Sequence, residues 1–162
     1  METKEKRLLV RPMAIEDLAS VMIINKENFT EAWSEQNFLY ELNENEFATI
    51  MVLTYADVVI GYCDFWVTFD SATINQIAIK KELQGNKLGR LLIEDTLARI
   101  NGVDEVKVVT LEVRTQNERA INFYLSYGFD ILLTKKKYYT NGDDAFYMMK
   151  VMKEYEQNNL SN

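Results

Sequence analysis

The sequence contains no histidine among its 162 residues. Histidine is the side chain whose ordinary pKa lies closest to neutral, so Ser-His-Asp, Cys-His and His-metal mechanisms are all excluded. Acid–base chemistry at neutral pH must therefore use carboxylates, lysine, tyrosine, cysteine or water.

Cysteine is almost absent as well, since Cys63 is the only one. A single cysteine forms no disulfide within one chain and no CxxC metal site, which is typical of a protein from a reducing compartment. We therefore expect no metal cofactor, and the simplest interpretation of Cys63 is a structural thiol.

Long hydrophobic runs are missing too, because no stretch approaches the roughly 18 apolar residues of a membrane span. The first residues, METKEKRLLVRP, hold charges but no apolar core long enough for a signal peptide. We therefore predict a soluble, cytoplasmic protein that binds no membrane. The length suits one domain over 1–162, with a core at about 8–152 and a polar C-terminal tail.

Basic residues are the minority charge, with 18 Lys and Arg against 25 Asp and Glu and a formal net charge of -7. This sign is wrong for coating a phosphate backbone, so we expect no nucleic-acid partner. A basic substrate would be attracted better than an acidic one. The acidity is equally well explained by solubility alone.

Hydrophobic spacing predicts a strand, two helices, three strands, and then the order αβαββ. The first helix is expected over 15–25, and the second from an N-cap at Ser34. Trp33, just before that cap, could pack on the helix as a hydrophobic staple or line a pocket. The expected fold class is α/β (α+β), with a mixed, largely antiparallel central sheet flanked by helices.

The second half of the chain carries two further helix signals. Thr115 and Glu118 fit a capping box at the start of the last helix, and Gly128 fits the left-handed residue after its end. VKVVTLEV, before that helix, is apolar enough for a central strand that is buried on both faces.

Three features could carry chemistry. The turn Gln84 to Arg90 lies where a strand leads into a helix, and helix N-termini bind phosphates, although such turns are common. Glu112 is an acid inside an apolar strand, which suggests either a catalytic carboxylate or a salt bridge to Arg114 or another base. Tyr124 is either a functional phenol or a core residue whose hydroxyl is satisfied.

Together these pieces match a family pattern. The succession IAI, QGNKLGR, LEVR, RTQN and AINFYLSYGF resembles the GNAT superfamily of acyl-CoA-dependent N-acetyltransferases over roughly residues 8 to 152. LEVR, AWSEQNF and KYYTNGDDAFYM make the chain more similar to the ribosomal-protein-alanine N-acetyltransferase branch.

The resemblance implies acetyl-CoA as co-substrate and a role for each matching residue. Glu112 aligns with the family's general base, and Tyr124 with the acid that protonates the departing thiolate. The pantetheine arm is expected on backbone groups of Ile77, Ala78 and Ile79. The remaining cofactor contacts are expected from Asn117 and from the pyrophosphate turn formed by Gln84, Gly85, Asn86, Lys87, Leu88, Gly89 and Arg90.

The chain departs from the family pattern at three positions. Lys87 stands where the family has glycine, and a left-handed backbone there would cost about 1–2 kcal/mol. Its ammonium could offset part of that cost by facing a phosphate. Ala32 and Thr140 lie where the branch tends to show proline.

The predicted function is transfer of acetyl from acetyl-CoA to a primary amine by direct attack. The preferred acceptor is the N-terminal α-amine of a protein such as a ribosomal protein, with Trp33, Tyr138 and Tyr139 flanking the acceptor groove. Two alternatives are open: an acetyltransferase for a small amine (a polyamine, an amino acid or an aminoglycoside), and a non-catalytic CoA-binding module.

Overall fold

A computed structural model describes residues 6–152, so residues 1–5 and the predicted polar tail after 152 lie outside it. Its strands are β1 (Leu8–Pro12), β2 (Ala48–Tyr55), β3 (Val58–Thr68), β4 (Ser71–Ile79), β5 (Val108–Arg114), β6 (Asp130–Lys135) and β7 (Ala145–Val151). Its α-helices are α1 (Leu18–Asn28), α2 (Glu35–Asn43), α3 (Gly89–Asn101) and α4 (Glu118–Ser126). None of these helices is long and apolar enough to cross a membrane.

The strands form one sheet in the order β1-β2-β3-β4-β5-β7-β6. All neighbouring pairs are antiparallel except β4 and β5. The predicted element order and the mixed, largely antiparallel sheet are thus confirmed.

The parallel pair β4–β5 separates part-way along its length. The strands pair only from Ser71 with Val108 to Thr73 with Thr110, although β4 continues to Ile79 and β5 to Arg114. Beyond Thr73 the edge of β4 that faces β5 has no strand partner, and its backbone groups are available to a ligand. This gap in the middle of the sheet positions the site.

The core has two parts because strand side chains alternate between the two faces of the sheet. Leu92 of α3, Leu111 of β5 and Tyr124 of α4 belong to the cluster on one face. Phe38 of α2 and Tyr62 of β3 belong to the cluster on the other face, with α1. Each helix pair therefore covers its own side of the sheet.

The α2 terminus forms as its sequence predicts. The Ser34 hydroxyl accepts a hydrogen bond from the Asn37 N–H, and the Trp33 and Phe38 rings lie 5.2 Å apart. Trp33 is therefore a hydrophobic staple on α2.

One predicted helix start and one predicted helix end are wrong. Thr115 does not cap α4, because the helix begins later and Asn117 is its N-cap, with a side-chain oxygen that accepts from the Ala120 N–H. The Thr115 backbone N–H instead donates to the Asp144 carbonyl in the loop before β7. The first helix begins as a 3-10 turn at Ile15–Asp17 and continues as α1 to Asn28, three residues beyond the predicted end. Gly128 does have the predicted left-handed backbone, with φ of 87°.

Candidate active site

A pocket of about 450 Å³ lies where β4 and β5 separate, bounded by α3 and α4. All the residues predicted to contact the cofactor line it except Asn86, whose side chain instead donates to the Leu83 carbonyl at 2.8 Å. Those lining residues are Ile77, Ala78, Ile79, Gln84, Gly85, Lys87, Leu88, Gly89, Arg90 and Asn117.

The turn before α3 is shaped to bind an anion. Gly85 and Lys87 both have left-handed backbones, with φ of 87° and 59°. Turns of this kind direct backbone N–H groups into a concave surface that binds anions. Moreover, no side chain caps α3 at Leu88, so the helix start offers amides and a positive dipole end to a phosphate.

The left-handed backbone that the family pattern suggested at Lys87 is therefore present. Lys87 takes a backbone conformation that costs a non-glycine residue about 1–2 kcal/mol, and its exposed side chain stands at the pocket. Arg90 lies in the first turn of α3 on the same pocket wall.

A third cation and much of the α4 wall of the pocket were not predicted from the sequence. Arg119 lines the pocket, and its Nη2 lies 3.9 Å from where a Cβ on Gly85 would stand. Arg119 and Phe123 are four residues apart and so share one face of α4, which is the signal that would have found them. The full set of missed lining residues is Asn28, Leu83, Arg119, Ala120, Phe123, Ser126 and Tyr127.

The end of α1 holds the turn in place. Asn28 donates to the Ile79 carbonyl at 3.0 Å and accepts from the Gln84 amide at 2.7 Å. Gln84 also donates to the Ile79 carbonyl, at 3.1 Å. Gln84 thus joins β4, α1 and the turn.

Tyr124 points its ring into the core and lines the pocket. Phe123 and Phe129 pack against the ring, with centroids 5.4 and 5.7 Å away. Its hydroxyl has no hydrogen-bond partner in the part of the chain that the structure describes, contrary to the interpretation of a satisfied core tyrosine. Burial raises the pKa of Tyr124, so the phenol keeps its proton at neutral pH and can donate it.

Glu112 lies on the separated part of β5, on the face opposite Leu111. It does not line the pocket. Its Oε1 accepts from the ammonium of Lys135 at 2.6 Å, so the expected salt bridge exists but does not involve Arg114. Arg114 instead pairs with Asp143 at 2.7 Å and lies 3.8 Å from the centre of the Tyr139 ring.

The predicted acceptor residues lie on two loops, 29–34 and 136–144, away from the pocket. The Tyr138 and Tyr139 rings contact each other with centroids 5.0 Å apart. The backbone N–H of Trp33 donates to Oδ1 of the buried Asn25 side chain at 2.8 Å. Glu31 accepts hydrogen bonds from Thr140, so the structure brings these two loops together.

Cys63 is fully buried in the core cluster, and burial raises its pKa to about 12. It does not line the pocket. A thiol that stays protonated and inaccessible is a poor acyl carrier.

Residues 18–129 match the model of the acetyltransferase (GNAT) family. The chain belongs to this family. The family resemblance inferred from the motifs is confirmed, and the protein is an acetyl-CoA-dependent N-acetyltransferase.

Two relatives and one solved structure illustrate the similarity. A Bacillus subtilis protein named provisionally as a [ribosomal protein bS18]-alanine N-acetyltransferase is 36% identical over 90% of this chain and 96% of its own. The Salmonella typhimurium [ribosomal protein bS18]-alanine N-acetyltransferase is 30% identical over 82% and 89%. The crystal structure of the Escherichia coli ribosomal-protein-S18-alanine N-acetyltransferase has a TM-score of 0.84 and 27% identity, covering 94% of this chain and 99% of that one.

Proposed function

We propose that this protein acetylates the N-terminal α-amine of a protein, with Glu112 as the base and Tyr124 as the acid. The observation that carries the proposal is the arrangement around the gap between β4 and β5. A turn with left-handed residues before an uncapped helix start and the Tyr124 phenol line the pocket on one side of the sheet, and the Glu112 carboxylate, paired with Lys135 near the Tyr138 ring, lies on the other.

The pocket suits the acyl donor in charge and shape. Lys87, Arg90 and Arg119 supply positive charge around the turn, where the phosphates of CoA would bind. The open edge of β4 at Ile77–Ile79 offers backbone groups to an extended, amide-containing arm. Acetyl-CoA supplies an acetyl group activated as a thioester.

The residues then divide the proton transfers between them. An α-amine with a reference pKa near ~8 is mostly protonated at pH 7, so it must lose a proton before its nitrogen can attack. Glu112 takes that proton, directly or through water. Tyr124 donates its phenolic proton at the pocket side, where the sulfur leaves. The buried, protonated thiol of Cys63 takes no part, in agreement with direct attack.

The proposed acceptor is the N-terminal alanine of a ribosomal protein. The two relatives carry that substrate in their names, and the formal charge of -7 favours a basic partner such as a ribosomal protein. Trp33, Tyr138 and Tyr139 supply apolar walls for an extended peptide.

The experiment is a turnover assay with acetyl-CoA and a panel of acceptors. It compares peptides that begin with alanine and continue with basic residues, the same peptides with a blocked N-terminus, spermidine, amino acids and an aminoglycoside. We expect turnover only with the free N-terminal peptides. Turnover of small amines alone would favour the small-amine enzyme, and absence of all turnover despite acetyl-CoA binding would favour the non-catalytic module.

A further inference from the structure

The ammonium of Lys135 lies in surroundings that would suit an acceptor amine. Its Nζ is 2.6 Å from Glu112 Oε1. The same nitrogen lies 4.7 Å from the centre of the Tyr147 ring and 5.3 Å from that of Tyr138. A carboxylate beside two aromatic faces is a favourable environment for any ammonium group.

Lys135 is also the only hydrogen-bond partner of the Glu112 carboxylate within residues 6–152. The hydrogen bond to Glu112 raises the pKa of Lys135, so the lysine stays charged. An acceptor that arrives as an ammonium would meet a like charge already bound to the carboxylate that it needs.

We propose that Lys135 is a built-in competitor, whose ammonium holds Glu112 in the free enzyme and withdraws when the amino terminus of the acceptor binds there. This inference rests on the proposed function, because it takes Glu112 as the group that receives the acceptor amine.

The position of Lys135 allows this withdrawal. It is the last residue of β6, the edge strand of the sheet. The exposed fraction of its side chain is 36%, and that of Glu112 is 21%. A partly exposed ion pair contributes little to stability, so another cation can replace it at small cost.

An orienting role for Lys135 would predict the opposite effect on acceptor binding. If Lys135 stayed in place and oriented Glu112, its removal would weaken acceptor binding. If Lys135 competes, its removal strengthens binding of a cationic acceptor and leaves a neutral one unaffected. The direction in which the Kd of a cationic acceptor changes therefore distinguishes competition from an orienting role.

The test is calorimetric titration of the enzyme, in the presence of CoA, with a short peptide that begins with alanine, has an amidated C-terminus and contains no charged side chain, so that its α-ammonium is its only charge. Lys135→Met keeps the alkyl chain on the tyrosine rings and removes the charge. We expect it to lower the Kd of the free-amine peptide roughly three- to tenfold, with no change for the N-acetylated peptide. Thermal unfolding checks that the variant is folded.

Two further variants make the result specific. Lys136→Met removes the same charge from a neighbouring residue that pairs with Asp144 instead, and we expect no such tightening. In a Glu112→Gln background the Lys135→Met effect should vanish. The proposal would be overturned if Lys135→Met left the Kd of the free-amine peptide unchanged or raised it. It would also be overturned if Lys136→Met, or Lys135→Met in the Glu112→Gln background, lowered that Kd by the same factor. Turnover of Glu112→Gln alone tests the base role separately.

Discussion

Thr140 donates both its backbone N–H and its hydroxyl to Glu31 Oε1, and the N–H bond measures 2.7 Å. These bonds lower the pKa of Glu31 and tie loop 136–144 to loop 29–34. Proline, which the related branch tends to show at this position, has no N–H and no hydroxyl to donate. The departure noted in the sequence thus provides a link across the predicted acceptor groove.

Breaking this link should weaken binding of a peptide acceptor. Thr140→Pro removes both donors and Thr140→Val removes the hydroxyl, so we expect the KM for peptide to rise in the order wild type, valine, proline. The full effect should be about three- to tenfold, as for the loss of one or two hydrogen bonds. Thr134→Val, on exposed β6, is the control. A KM that stays at the wild-type value in the proline variant would mean that the link does not shape the groove.

Lys87 allows backbone strain to be separated from charge. Lys87→Gly relieves the left-handed strain and should raise stability by about 1 kcal/mol, whereas Lys87→Ala keeps the strain. Both lose the ammonium and should bind acetyl-CoA more weakly, with a shallower dependence on salt.

Lys137 provides the matched control, because it has φ of 50° and lies outside the pocket. Lys137→Gly should gain similar stability without changing acetyl-CoA affinity. Equal affinities of wild type and Lys87→Ala in a titration would show that the Lys87 side chain contacts no phosphate.

Asp64 makes stability depend on pH. It is fully buried on β3, accepts from Asn75 at 2.9 Å, and leaves its Oδ2 without a partner in the described residues. Burial, together with the neighbouring Glu41, raises its pKa to about 8. The unfolded value is near ~3.9, so between these values the folded state binds more protons, and stability falls as pH rises through this window.

Replacing Asp64 by asparagine should remove this dependence. Asp64→Asn keeps the shape and should raise the free energy of unfolding at pH 8 relative to wild type. The wild type should lose up to about 1.4 kcal/mol per pH unit across the window, and the variant less. Urea unfolding from pH 5 to 8 measures both, with exposed Asp130→Asn as the control. Parallel curves for Asp64→Asn and wild type would refute the assignment.

Replacing the proposed base and replacing the proposed acid should lower activity in two different ways. Glu112→Gln should lower kcat by about 10²–10⁴, the usual value of general base catalysis, and most strongly at acidic pH where the amine is protonated. Tyr124→Phe should lower kcat while acetyl-CoA still binds, because it deletes only the unpartnered hydroxyl. Glu118→Gln, an exposed acid on α4, is the control for the charge change. Full activity in both variants would remove the proposed roles.

Much of the site could be predicted because its signals are local. The strand segment Ile77–Ile79, the turn Gln84 to Arg90 and helix α3 follow one another in sequence, so their meeting at one pocket follows from chain order. Even the left-handed backbone at Lys87 was foreseeable from the glycine that the family has there.

What could not be predicted depends on contacts between distant residues. Nothing near Glu112 identifies Lys135, which reaches it across β7 from 23 residues away. Thr115 has the local pattern of a helix cap, but the carbonyl of Asp144 takes its N–H. The Glu31–Thr140 link joins residues 109 positions apart, and such pairings are set by the fold rather than by local pattern.

The proposed role of Glu112 is to accept a proton from the α-amine of a protein N-terminus. Mass mapping of the product tests it most directly, with a peptide that begins with alanine, continues with basic residues and contains an internal lysine. We predict a single acetyl group on the N-terminal nitrogen, formed by the wild type and nearly lost in Glu112→Gln. Acetyl groups on lysine side chains alone, or robust turnover of spermidine with none on the peptide, would show that the acceptor is not a protein N-terminus.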